Sequence, residues 1–317
     1  VARPRRHFTG FPRANLGGVI RTAGGPSWRQ NGAEVHSLWI FALAMGVSMI
    51  PAWPSPKISP AITTTHVRVV ALDPFVADDM YAVGCGSNLV GVSSFTDDPR
   101  AKSLPRVADA MSVDNERIVA LRPDVVIGIP SQQRLAGVLS HAGITVMLLP
   151  DDSYESIFTN LHVIGNICGH LDEAATLVGS LRRETEQLRA QARKFRRRPS
   201  VFVVLGNAPI WTAGADSFIA TLIGMAGGLD AASNLPSAYA QYSAEALLRA
   251  QPDVIVADPL VRLESALDSA PWNGLLAVRL HRVYTIQPPR MLMEPGPNYN
   301  DGIRWLMQRL RPIANGS

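Results

Sequence analysis

Only two cysteines occur in the 317 residues, Cys85 and Cys168, and no CxxC exists, so a zinc ribbon or a dithiol redox motif is excluded. Seven scattered histidines form no HExxH. His162 and His170 stand two helical turns apart with nothing between them to complete a metal site. There is no GxxxxGK[ST] phosphate loop and no GxSxG nucleophile elbow. Gly84-Cys85-Gly86 lacks a third glycine and follows a helical pattern instead of a strand, so the dinucleotide fingerprint fails. No apolar run approaches the ~20 residues of a membrane-spanning helix. These gaps weigh against an enzyme, although carboxylates that meet only in space leave no motif.

An excess of positive charge is also missing from the body of the chain. The sequence holds 30 basic and 26 acidic residues, but seven of the basic and one of the acidic precede residue 66. The remaining 23 basic and 25 acidic residues nearly cancel, which leaves no electrostatic footprint for nucleic acid. At 47% hydrophobic and 18% charged, the composition is that of a globular chain long enough for two cores.

What is present begins with an uncharged apolar run of 13 residues at 38–50, LWIFALAMGVSMI. Basic residues precede it and Pro51-Ala52-Trp53-Pro54 follows, the arrangement of a signal-peptide apolar segment. Residues 1–60 are therefore expected to be a targeting segment and linker, and the remainder to be exported to the periplasm. No cysteine lies near that run, so a lipid anchor is not expected. In an oxidising compartment Cys85 and Cys168 either pair or stay as two buried thiols; the thiols are the plainer expectation.

The most informative feature is an internal repeat. Residues 115–130 read NERIVALRPDVVIGIP and residues 244–259 read AEALLRAQPDVIVADP. At a constant offset of 129, Glu116 matches Glu245, Pro123 matches Pro252, Asp124 matches Asp253 and Pro130 matches Pro259. In each copy a short amphipathic helix stops ahead of proline, which disfavours helical geometry in the residue before it. An apolar β-branched run then follows, as suits a strand buried on both faces of a parallel sheet. Each copy is preceded by another apolar strand, at 67–72 and 201–205, and by a helix ending near Gly84 or near Gly227-Gly228. Each is followed by a last strand, at 145–149 and 282–287. Alternating strands and helices predict two α/β lobes with mainly parallel sheets.

Between the halves, residues 172–197 carry the longest helical pattern, with Asp172 and Glu173 in the first turn and a basic cluster at its end. At 1.5 Å per residue a helix of ~25 residues reaches ~37 Å, enough to join the lobes. The basic cluster reads as a solvated helix terminus. The expected organisation is an N-terminal lobe over 66–168, a connecting helix over 169–198 and a C-terminal lobe over 199–317.

Three segments, LVGVSSFTDDP at 89–99, NERIVALRPDVVI at 115–127 and the chain end from Val278 through Pro295-Gly296-Pro297, resemble the periplasmic binding proteins that carry cobalamin and ferric siderophores to ABC importers. The resemblance runs over 68–312. It implies two α/β lobes joined by one long interdomain α-helix, a ligand held between them, no catalysis and no resident cofactor. It also implies a monomer whose partners are a small-molecule metal chelate and a permease dimer. Parallel sheets place ligands at the carboxyl ends of their strands, which makes Pro74, Phe75, Phe95, Ile129, Pro130, Trp211, Tyr239, Arg290 and Met291 the candidate ligand-binding residues. Rigid rings at positions 95, 211 and 239 suit the faces of a bulky ligand, and Arg290 suits an anionic chelate. Some cobalamin binders carry an aromatic where Ile129 and Pro130 stand here, so the resemblance favours a ferric siderophore over cobalamin. Siderophore binders often have a basic residue just before the Pro-Gly of the last loop; here it is Glu294, which weighs against a strongly anionic ligand at that spot. Relatives present one exposed acid per lobe to the permease, and Glu245 and Gln133 occupy those positions, with Glu116 as an alternative contact.

Overall fold

In the computed structural model, which describes residues 66–109 and 112–316, the first apolar run becomes strand β1 (Val69–Ala71), buried throughout. The predicted targeting segment lies outside the described residues. Helix α1 (Pro74–Ala82) opens on a proline, whose missing N–H would have had no partner in a first turn. It ends where Gly84 takes a left-handed φ of 85°. There follow β2 (Leu89–Ser93), β3 (Arg106–Ala108), α2 (Asn115–Ala120), β4 (Val125–Gly128), α3 (Gln133–Ser140) and β5 (Thr145–Leu148). The five strands form one parallel sheet in the order β3-β2-β1-β4-β5. The chain thus builds outward from β1 on one side and then crosses to β4 on the other. Strand order reverses between β1 and β4, and such switch points leave a crevice at the carboxyl ends of the strands.

Helices α4 (Tyr154–Cys168) and α5 (Leu171–Ala192) carry the chain onward. The second half contains β6 (Ser200–Val204), β7 (Gly206–Asn207), β8 (Ile210–Ala213), α6 (Phe218–Met225), β9 (Leu229–Asp230), β10 (Tyr239–Gln241), α7 (Ala244–Ala250), β11 (Val254–Ala257), α8 (Leu276–Arg279), β12 (Val283–Thr285) and α9 (Tyr299–Asn315). Its main sheet is parallel in the order β12-β11-β6-β9, with a second reversal between β6 and β11. A three-stranded antiparallel sheet, β10-β8-β7, has no counterpart in the first half and was not anticipated from sequence.

The repeat is structural down to single atoms. Arg122 and Gln251, 129 positions apart, both take left-handed φ, 47° and 42°, where a short helix turns into its Pro-Asp step. Asp124 Oδ2 accepts from the Arg68 amide at 2.8 Å, and Asp253 Oδ2 accepts from the Ser200 amide at 2.8 Å. Each aspartate thereby ties the start of its strand to the chain where the neighbouring central strand begins. Even the helix starts correspond: Asp114 caps α2 and Ser243 caps α7, each accepting from the amide three residues on.

Helix α5 packs on α4 at one end and on α6 and α9 towards the other, so it does join the lobes. Its 22 residues span ~33 Å. It stops at Ala192, short of the predicted 197, because the residues beyond it are occupied elsewhere. The Phe195 ring packs so tightly on Gly227 that a Cβ there would lie 2.8 Å from it. Arg197 forks onto Asp253 at 2.9 and 3.0 Å, and Arg198 donates to the Gly228 carbonyl at 2.6 Å. Two members of the basic cluster therefore stitch the connector to the C-terminal lobe, where the sequence suggested a solvated terminus.

One apolar core runs beneath both sheets, from Val69 and Ile157 through Leu181 and Leu188 to Val203 and Leu306. Smaller clusters cover the outer face of each sheet. At the centre of the junction, Thr185 Oγ1 lies 2.8 Å from the Tyr299 hydroxyl and 2.9 Å from Asn300 Oδ1, and Asn300 Nδ2 donates to the Leu181 carbonyl at 3.0 Å. The rings of Tyr154, Phe158 and Tyr299 meet edge to face around this cluster. Cys85 and Cys168 are joined in a disulfide with their Cα atoms 6.0 Å apart, which replaces the expectation of two free thiols. The spatial reason is that Cys85, just after α1, and Cys168, closing α4, end two helices that pack side by side.

Candidate functional site

A cavity of about 440 Å³ opens between the lobes, within the range of small-molecule sites. The N-terminal lobe contributes the turn after β1, with Asp73, Pro74 and Phe75, together with Phe95, Asp97 and Asp151. The C-terminal lobe contributes Asp258 and Leu260 after β11, and Met293, Glu294 and Pro295 from the loop after β12. Every one of these loops leaves the carboxyl end of a strand. A second cavity of about 500 Å³ adjoins it at the β1/β4 switch point and shares Asp73, Pro74 and Phe95. Ile129, Gln132 and Arg134 line its far side.

Of the residues expected from sequence, Pro74, Phe75 and Phe95 line the interlobe cavity and Ile129 lines its neighbour. Phe75 is only 3% exposed and serves mainly as floor, whereas the Phe95 ring is 43% exposed. Pro130 starts a 3-10 turn and points its surface outward. Trp211 and Tyr239, each 40% exposed, stand on the antiparallel sheet. Tyr239 pairs with Ala213 and Trp211 with Gln241, which puts both rings on one face of that sheet as diagonal neighbours. Neither ring belongs to the cavity lining. The Tyr239 phenol is pushed up to about 12, first by burial and then by the negative charges of Asp151 and Asp152 on the opposite lobe.

Arg290 and Met291 differ from expectation. The Arg290 guanidinium is already held by N-terminal-lobe acids: Nη1 bonds Asp97, and Nε lies 3.8 Å from Asp78 Oδ2. Asn298 donates to the same Asp78 oxygen at 2.9 Å. Arg290 thus acts as an interlobe tie and its charge is spent before any ligand arrives. Met291 packs against the core, its carbonyl pressed on Gly302, and Met293 takes the cavity position instead. Glu245 and Gln133 are exposed in the first turns of α7 and α3, as is Glu116 in α2.

The acids of the cavity were missed by the sequence reading, except Glu294. A signal existed: Asp73, Asp97, Asp151 and Asp258 each fall within four residues after a strand, where aspartate usually reads as a turn former. Burial, partly offset by a hydrogen bond from Gln132, raises Asp73 to about 6. Burial raises Asp78 to about 6 against the pull of Arg290. Glu294 is pushed up to about 8, by burial first and then by Asp78, Asp97 and Asp73. Among the described residues no group of three or more His, Cys, Asp or Glu side chains is placed to hold a metal ion, and no helix is long and apolar enough to cross a membrane.

A two-lobed α/β chain with one connecting helix and a cleft at its strand ends has the build of a receptor for a small solute. The sequence pattern described as periplasmic binding protein matches residues 69–289, and the chain belongs to that family. An uncharacterised ABC transporter substrate-binding lipoprotein of Bacillus subtilis (strain 168) is 28% identical over 254 residues, covering 77% of this chain and 80% of that one. The periplasmic vitamin B12 binding protein of Vibrio cholerae superposes with a TM-score of 0.67 at 25% identity, over 78% of this chain and 97% of that chain. A periplasmic haem-binding protein from Pseudomonas aeruginosa superposes at 0.70 and 26% identity, over 78% of this chain and 94% of its own.

Proposed function

We propose that this protein works outside the cytoplasm as the receptor of an ABC importer, taking up a bulky metal chelate between its lobes and releasing it unchanged to the permease. The observation that carries this reading is the interlobe cavity, mostly apolar, with the open ring of Phe95 on one wall and Leu260 and Met293 on the other. Such a surface covers the flat or globular body of a chelate at little entropic cost. The Cys85–Cys168 disulfide supports an oxidising compartment. The protein acts as a monomer and turns nothing over.

A ferric siderophore is the favoured cargo, since the aliphatic Ile129 lines the switch-point cavity where some cobalamin binders present a ring. A corrinoid is the second reading, favoured by the name of the Vibrio cholerae relative. Glu245 on the C-terminal lobe, with Gln133 or Glu116 on the other, supplies the permease contacts. The test is titration of purified protein with cyanocobalamin, haemin and a set of ferric siderophores, followed by tryptophan fluorescence and by mass spectrometry of the recovered ligand. Saturable binding with the ligand returned intact is expected, and Glu245→Ala should leave affinity unchanged while lowering uptake. Failure of every chelate to bind, or recovery of a chemically altered ligand, would overturn the proposal.

A further inference from the structure

Charge is distributed unevenly around the cleft. Among the described residues the interlobe cavity is lined by five carboxylates, Asp73, Asp97, Asp151, Asp258 and Glu294, and by no basic residue. The adjoining cavity adds Asp109 on the acidic side and Arg134 on the basic side. Arg290, the other cation at hand, is neutralised by Asp97 and Asp78. Asp258 is committed to its own turn, where it accepts from the Leu260 amide at 2.7 Å.

Glu294 is different. Its Oε2 exposes less than 1 Å² and has no hydrogen-bond partner, although the residue lines the cavity. Asp73 Oδ2, across the same cavity, is in the same position. Buried acceptors without donors are costly, and proteins retain them where something else completes the bond. The lining therefore offers acceptors on an apolar surface, with no donor fork for an anionic group.

Resting on the receptor reading above, we infer that the cleft selects its chelate by charge: it takes a neutral or cationic metal complex that carries N–H donors and turns away polyanionic ones, with Glu294 as the specificity-determining residue. A corrinoid bearing carboxamides or a ferric trihydroxamate with an ammonium tail meets this description. A ferric tricatecholate or a haem with two ionised propionates does not. The raised proton affinity of Glu294 fits the same picture, because its neighbours Asp78, Asp97 and Asp73 repel its charge until a cationic or donor-rich group relieves them.

The experiment uses the unmodified mature protein and four probes, cyanocobalamin, ferrioxamine B, ferric enterobactin and haemin, titrated by calorimetry at two salt concentrations and at about pH 9, above the raised value of about 8 so that Glu294 carries its charge. One of the first two should bind at least about tenfold more tightly than either of the last two, the scale of one charge interaction across such a site. Raising the salt should narrow that gap. Glu294→Gln, which keeps shape and polarity, should weaken the preferred probe and shrink the preference, and Glu294→Lys should favour the anionic probes. A tricatecholate or haem in first place would overturn the inference and leave the receptor reading standing, as would an unchanged preference in Glu294→Gln. Binding of none of the four would remove the receptor reading and this inference with it. If Glu294→Lys fails to fold, the ranking on unmodified protein and on Glu294→Gln decides.

Discussion

Replacing Glu294 with glutamine isolates what an unpartnered cleft acid costs the fold. Its carboxyl is pushed up to about 8 from an ordinary 4.5, by burial and by Asp78, Asp97 and Asp73. A carboxyl raised on folding keeps its proton in the native state while the unfolded chain releases it. Native protein therefore binds more protons than unfolded protein between pH 4.5 and 8, and stability falls as pH climbs through that window. Below 4.5 the group is protonated in both states and contributes no loss. At about 1.4 kcal/mol per pH unit, the loss between pH 5 and pH 8 is about 3 kcal/mol. Glutamine has no proton to keep, so the variant escapes this slope while every other titrating group is shared with the parent. The measurable quantity is the difference in unfolding free energy between Glu294→Gln and the parent, from urea titrations followed by tryptophan fluorescence at pH 5, 6, 7 and 8. It should move in favour of the variant by about 3 kcal/mol across the series, or about 6–12 °C in Tm for a chain of this size. A difference that stays constant with pH would refute the reasoning, because it would mean that Glu294 ionises as freely in the fold as outside it.

Two further outcomes follow from the scaffold. Opening the disulfide by a Cys85→Ala/Cys168→Ala double substitution frees a loop across a separation of 83 residues, and the chain-entropy estimate puts the loss at about 4–5 kcal/mol. The urea midpoint should fall accordingly, and dithiothreitol should lower the parent but not the variant. Thr185→Val keeps the shape of the junction but strips the hydroxyl that faces Tyr299 and Asn300, leaving buried polar atoms short of a partner at a cost of about 1–3 kcal/mol. Denaturation measured by circular dichroism checks this, and an unchanged midpoint would show that the junction does not depend on that hydroxyl.

The parallel sheets were legible because their signal is local. Val125-Val126-Ile127 and Val254-Ile255-Val256 are uninterrupted β-branched runs, and the proline ahead of each marks where a helix must stop. The antiparallel sheet was not legible, since β7 and β10 are only two and three residues long; β7 turns straight back onto β8 with no β-branched run to mark it, and β10 joins β8 from further along the chain. Connecting helix α5 was read in kind but not in length, because Phe195 and Arg197 answer to Gly227 and Asp253, which no periodicity reports. The site divides along the same line. Phe95 could be placed from the end of its strand, whereas Asp73, Asp97, Asp151 and Asp258 each look like ordinary turn residues until separate loops bring them to one surface. Arg290 was misjudged because its two acidic partners lie some two hundred residues earlier in the chain.

The unbroken apolar layer beneath both sheets bears on how this molecule could ever be divided. By strand order each half is a self-sufficient unit. Yet Leu181, Leu188 and Ala192 are buried on a helix that shields both halves, and Tyr299 from the far end of the chain closes over Tyr154 from the first. Cutting the chain at α5 would strand each fragment with bare core on one side. The two halves are indivisible as they stand, and what motion the jaws possess comes from flexing a shared spine instead of from parting two independent bodies.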